Sequence, residues 1–257
     1  ATGPGSIWYS TDDGDDWDET DKAPTGTGVT QNLVIVDDDF ADSGIAWCAS
    51  NAATKEGGVH LTTDFGATWN GISLLDTDMA EAVYDIAFSP DYGTDDAAPM
   101  FMVAESSVAT TDDSVWKYDG TNWERVWYDV TNELDLVEVS PGYAGDTAVF
   151  VAASAAPTIL YSHDGGADFT AMIRQPLAAI TSWVVIDDET VITGASGGAI
   201  YKTVRYGRRI WDEPTVAAAA GLITDLAVLG DTVLAGDDAS QVFISSDSGD
   251  EFEEVSA

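Results

Sequence analysis

The chain has 257 residues, with 46 acidic side chains against nine basic ones and a formal net charge of −37 at pH 7. A surface this negative repels nucleic acid and anionic membranes, which excludes both as partners. No apolar run reaches the roughly 18 residues of a membrane helix, and the one cysteine, Cys48, rules out an internal disulfide.

In chain order, the first element is a β-rich run, Ile7-Trp8-Tyr9, that enters the turn Ser10-Thr11-Asp12-Asp13-Gly14-Asp15-Asp16-Trp17. The same pattern returns after Val59-His60-Leu61 as Thr62-Thr63-Asp64-Phe65-Gly66-Ala67-Thr68-Trp69. It recurs after Ile159-Leu160-Tyr161 as Ser162-His163-Asp164-Gly165-Gly166-Ala167-Asp168-Phe169, and after Val242-Phe243-Ile244 as Ser245-Ser246-Asp247-Ser248-Gly249-Asp250-Glu251-Phe252. Two altered copies complete the series. One, around Asp119, Gly120 and Trp123, is a residue short; the other, Arg205-Tyr206-Gly207-Arg208-Arg209-Ile210-Trp211, has Arg at the Asp position and Trp one place late. The six glycines are 52, 54, 46, 41 and 42 residues apart, close to the length of a four-stranded propeller blade.

Each residue type has a reason to be in such a turn. A short carboxylate accepts backbone N–H groups that the turn leaves unpaired, glycine takes positive φ, and the aromatic ring folds back as an apolar plug. Between the turns lie paired apolar runs. Leu33–Val36 precedes Ile45–Ala49, Val83–Phe88 precedes Met100–Ala104, and Leu136–Val139 precedes Ala148–Ala152. Trp183–Ile186 precedes Val191–Gly194, and Leu226–Leu229 precedes Val233–Gly236. These read as hairpins of inner strands. Phe40, Tyr92 and Tyr143 fall at one place in three of the linking loops.

The turns resemble the Asp-box, or bacterial neuraminidase repeat, with its pattern Ser-x-Asp-x-Gly-x-x-Trp. The resemblance covers nearly the whole chain. It implies an all-β fold, a β-propeller of four-stranded antiparallel blades with an Asp-box turn between the third and fourth strands of each. The structural Asp-box residues are then Asp12, Gly14 and Trp17; Asp64, Gly66 and Trp69; Asp119, Gly120 and Trp123; Asp164, Gly166 and Phe169; and Asp247, Gly249 and Phe252. Strand counting gives five full blades, at about 33–75, 84–127, 136–173, 182–215 and 224–255, plus an N-terminal half blade at 6–20 that lacks inner strands. The whole reads as one propeller domain or a segment of a larger propeller.

Function is less directly written. Three of the five arginines, Arg205, Arg208 and Arg209, sit in one degraded repeat, a basic spot on an acidic body. Guanidinium forks pair with carboxylates, so this hairpin is the expected assembly contact with another copy or with other surface-layer subunits; the alternative is local pairing with Asp212 and Glu213. Clustered Asp37, Asp38, Asp39 and Asp42 are a candidate Ca²⁺ site, although their spacing is not that of an EF-hand, and no cofactor is required by the fold. Cys48 and His60 lie in strands, and Cys48 reads as a buried small hydrophobe. Tandem Asp-box proteins of prokaryotic envelopes look similar, which implies a secreted or cell-surface module of a surface layer, sheath or filament. A photosystem assembly factor type of propeller is a further relative.

The enzyme alternative is a sialidase-like glycoside hydrolase. Members of that family bring three arginines from different blades to a substrate carboxylate, whereas this chain lacks the Arg-Ile-Pro signature and clusters its arginines. A carbohydrate-binding propeller is the other alternative, with Trp127, Tyr128 and Trp183 as the aromatic residues left over once the motif plugs are assigned.

Overall fold

The computed structural model describes residues 6–12, 14–24, 29–37, 39–52, 57–75, 83–90, 92, 99–105, 113–209, 211–213, 215–216 and 221–255. They belong to two compact units, residues 1–87 with 91–131 and residues 88–90 with 132–257.

The first unit opens on a two-stranded ribbon, β1 (Trp8–Tyr9) and β2 (Asp18–Glu19). A four-stranded sheet follows in sequential order: β3 (Val29–Val36), β4 (Ala46–Ala52), β5 (Gly57–Thr62) and β6 (Asn70–Leu75). The next sheet is β7 (Val83–Phe88), β8 (Met100–Glu105), β9 (Asp113–Tyr118) and β10 (Trp123–Asp129). In the second unit β11 (Leu136–Val139), β12 (Val149–Ala153), β13 (Thr158–Ser162) and β14 (Thr170–Ala171) form a four-stranded sheet. The sheet after it has three strands, β15 (Ser182–Val185), β16 (Val191–Gly194) and β17 (Ile200–Thr203). The last sheet joins β18 (Thr215–Val216) to β19 (Ile223–Leu229), β20 (Thr232–Asp237), β21 (Val242–Ser245) and β22 (Glu251–Glu254).

One strand falls elsewhere than the spacing predicts. Residues 182–215 are expected to hold four strands, but after β17 the chain makes a single antiparallel bridge, Lys202 with Asp212, and Thr215–Val216 then pairs in parallel with Glu251 and Phe252 of the last sheet. The displaced tryptophan explains this: with Trp211 one place late, the returning strand loses its register after one pair. The crossing has a counterpart in the first unit, where Lys22 pairs in parallel with Thr68. Lys22 follows β2, and Thr68 stands at the same place in its turn as Glu251 does.

The second strands are the most buried. Val149 to Ala153 and Met100 to Ala104 are buried without interruption, as strands covered on both faces must be. Large apolar side chains such as Phe101, Phe150, Met100 and Met102 are fully buried among these positions, and Cys48 on β4 is fully buried too, with burial pushing its thiol up to about 12. The last sheet differs. Its strands alternate, with Val233, Ala235 and Phe243 in a core that includes Ile192, Ile200 and Phe252, while Leu234, Val242 and Ile244 face solvent at 38–46% exposure. Leu234 pairs with Ile244 and Ala227 with Leu234, so the apolar row crosses three strands.

Two short helices stand where loops are expected. Phe40 begins α1 (Phe40–Ser43) and Tyr143 begins α2 (Tyr143–Asp146), each closed by a residue in the left-handed region, Gly44 at φ 64° and Thr147 at φ 54°. The aromatic side chains that mark these loops in the sequence therefore start a helical turn between the first and second strands.

Candidate functional site

The repeated turns are built alike from their own side chains. In the first, the Ser10 hydroxyl donates to Asp12 Oδ1 at 2.8 Å and accepts the Gly14 N–H at 2.9 Å, while Asp12 Oδ1 accepts the Asp16 N–H at 3.0 Å. Thr62 and Asp64 repeat this with Gly66 and Thr68. Ser162 and Asp164 do so with Gly166 and Asp168, and Ser245 and Asp247 with Gly249 and Glu251. The shortened copy compresses the same design: Asp119 Oδ1 accepts the N–H groups of Thr121 and Asn122. Gly14, Gly66, Gly120, Gly166 and Gly249 all have φ between 85° and 93°.

A second feature ties four of the turns to their sheets. The residue after the Asp position is also left-handed, at Phe65, Gly165, Tyr206 and Ser248, with φ of 61°, 73°, 58° and 59°. Each donates its N–H to a carbonyl in the loop between the first and second strands of the same sheet: Gly44, Thr147, Glu189 and Asp231. The degraded copy keeps this latch, so Arg205-Tyr206-Gly207 holds the backbone of the turn without its carboxylate.

These hydrogen bonds hold the turn carboxylates below the ordinary carboxylate value of 3.8. The Asp16 amide and then the Ser10 hydroxyl do so at Asp12, the Asn122 and Thr121 amides at Asp119, Ser162 and the Asp168 amide at Asp164, and Ser245 and the Glu251 amide at Asp247. At Asp64 burial pulls upward, and the hydroxyl and amide of Thr68 outweigh it. A lowered folded value contributes stability above pH 3.8 that is lost as pH falls through it. Acid unfolding is therefore expected to steepen below about pH 3.8, and Asp→Asn at 64, 164 and 247 together should flatten that limb in thermal melts. An acid limb unchanged by the triple substitution would remove the turns from this role.

Two aromatic expectations need correction. Trp69, Phe169, Trp211 and Phe252 are buried as plugs, but Trp17 is 58% exposed. Its ribbon has only two strands, so no inner sheet covers the ring, and the indole N–H instead folds back to the Gly14 carbonyl at 3.0 Å. Trp183 is core, packed with Ile180, Val185 and Trp211, and presents no stacking surface. Trp123 and Trp127 are half-buried, and Tyr128 is 42% exposed beneath the Arg125 guanidinium, 5.1 Å from its ring.

Arg205, Arg208 and Arg209 are exposed. Among the described residues none of them is ion-paired, and local pairing with Asp212 and Glu213 is not formed. Beside them Tyr206 stacks on Tyr161 at 4.7 Å with 19° between planes, and His163 meets Tyr206 edge-on at 4.7 Å. The Tyr206 hydroxyl reaches Asp188 at 3.2 Å; burial, with Asp188 and Glu189 close by, pushes its pKa up. A rigid aromatic base thus carries the basic turn.

The acidic loop gives a different picture. Asp37 accepts the Ser43 hydroxyl at 2.7 Å, Asp39 and Asp42 are exposed on α1 and its approach, and Asp38, like Asp13, lies outside the described residues. Among the described residues no group of three or more His, Cys, Asp or Glu is arranged to hold a metal ion. Nearby is a cavity of about 670 Å³, lined by Ser10, Thr11, Gly14, Trp17, Phe40, Ala41 and Phe65.

No protein-family model matches the chain, and no curated protein matches its sequence. Solved structures do resemble it. YCF48 bound to D1 peptide gives a TM-score of 0.57 at 16% identity, over 90% of this chain and 69% of that one. A nidogen/laminin complex gives 0.54 at 12% identity, over 84% and 75%. Puromycin hydrolase gives 0.66 at 10% identity, over 99% of this chain but 42% of the hydrolase. At such identities the likeness carries the fold alone: the chain is all-β, made of several four-stranded antiparallel sheets, and shares the β-propeller fold of these neighbours.

Proposed function

We propose that this chain is a non-catalytic interaction module, an Asp-box propeller of five blades, one of them with three strands, and a half blade, that assembles through Arg205, Arg208 and Arg209. The observation that carries this reading is the state of those arginines. In a chain with 46 acidic residues, three guanidinium groups stand exposed and without ion pairs among the described residues. Their fitting partner is a carboxylate-rich surface, and a second copy of this chain supplies one. The apolar row of Leu234, Val242 and Ile244, bordered by Asp225, Glu251 and Glu253, supports a protein partner as well. A role outside the cell or on its surface, in a layer, sheath or filament, suits a body whose charge demands salt for screening.

Sedimentation velocity at about 0.15 M salt tests the proposal. The chain is expected to associate, and the double substitution Arg208→Glu with Arg209→Glu to leave it monomeric with an unchanged melting temperature. Loss of buried charge pairs of this kind costs about 2–5 kcal/mol of binding, enough to abolish a micromolar contact. A variant that associates as well as the parent refutes the arginine contact. The carbohydrate alternative would use the exposed faces of Trp17 and Tyr128, and a glycan array separates it from protein assembly.

A further inference from the structure

We infer that the cavity between the first turn and α1 is a binding site for a quaternary ammonium ion, independently of the assembly contact. Three aromatic rings reach it, from Trp17, Phe40 and Phe65. Each ring is fixed. Trp17 is anchored by its indole N–H to Gly14, with the ring lying over that glycine. Phe40 and Phe65 meet edge-on with centroids 5.8 Å apart, and the Phe65 ring covers Gly44.

Phe65 is an unusual choice for its position. The turn requires a left-handed residue there, and the equivalent places hold Gly165, Ser248 and Tyr206, of which Tyr206 stacks on Tyr161. Phe65 packs edge-on against Phe40 and over Gly44, yet it is still 39% exposed on the cavity wall.

The chemistry of the wall selects a cation over a sugar. Most polar groups of the lining are already used inside the turn: the Ser10 hydroxyl bonds Asp12 and Gly14 and the indole N–H bonds the Gly14 carbonyl, which leaves the Thr11 hydroxyl as the one lining side chain with a donor to offer among the described residues. A sugar would need such groups aimed at its hydroxyls. Ring faces need no donors, because a cation is attracted by the aromatic quadrupole and by carboxylates on the neighbouring chain segments. Asp12, Asp15, Asp16, Asp18, Asp39 and Asp42 are exposed on the chain segments that carry these residues, and among the described residues no Lys or Arg lines the cavity. A methylated ammonium, weakly hydrated and close to spherical, fits that combination.

The test is titration of the whole chain with choline, followed by indole fluorescence and calorimetry, against 3,3-dimethylbutanol as the uncharged isostere and a panel of simple sugars. Saturable choline binding is expected, weakened about tenfold or more by Trp17→Ala or by Phe65→Ser. The serine variant keeps the turn, since Ser248 occupies the equivalent place at φ 59°; its melting curve confirms that the fold is intact. Three results would overturn the inference: no saturable binding of choline, equal binding of the uncharged isostere, or binding of a sugar that choline does not displace.

Discussion

Trp69→Ala is expected to destabilise the first unit by about 3–5 kcal/mol, the cost of emptying a large aromatic site in a packed core. Trp69 is 1% exposed and packs with Ile7, just before β1, and with Ala46 and Cys48 of β4. The same substitution at Trp17, the corresponding residue of the first turn, should cost less than about 1 kcal/mol because that ring is already in water. Two tryptophans at one motif position thus carry opposite predictions. Calorimetric melts of the two variants decide between them, and equal losses would show that Trp17 packs as its motif position implies.

Gly249→Ala comes next in expected effect. The residue has φ 85°, which costs an alanine about 1–2 kcal/mol, and the added Cβ would run into Ile192 Cδ1, a fully buried core atom. Overpacking of this kind adds about 1–3 kcal/mol. A total of about 2–5 kcal/mol is expected, so the second unit should melt visibly earlier. Gly197→Ala is the control: its φ is 73° but nothing lies within 4 Å of the added atom, leaving only the backbone cost. If both variants melt together, the contact between the last turn and β16 is not what holds that turn in place.

The turns were legible in the sequence because their hydrogen bonds are local. Ser, Asp and Gly at fixed spacing bond to one another within five residues, so composition at those places specifies geometry. The latch from Phe65 or Ser248 to the preceding loop was not legible. It joins main-chain atoms whose side chains differ in every copy. Burial of the motif aromatic was legible only where a neighbouring strand pair exists to cover it. Trp69 and Phe252 have one; Trp17, on a two-stranded ribbon, does not. The same dependence on surroundings hid Trp183, which is left over as a stacking candidate once the motif plugs are assigned and is core by packing.

The candidate sites divide in the same way. Crowding of Arg205, Arg208 and Arg209 is a sequence fact, but that none of them is ion-paired among the described residues is legible only in the structure. The aromatic cavity could not be read in advance, because Phe40 belongs to a helix that pattern reads as loop and Phe65 occupies a variable position of the motif. Residues at variable positions of a repeat are where one copy can differ in task from the others. Phe65 and the arginine turn are both such departures.

Negative-stain microscopy of the purified chain at about 0.15 M salt tests the central claim, assembly through a basic turn on an acidic body, most directly. Ordered filaments or sheets, absent from grids of the Arg208→Glu and Arg209→Glu variant, are the predicted result. Isolated particles at every salt concentration from about 0.1 to 1 M would contradict it.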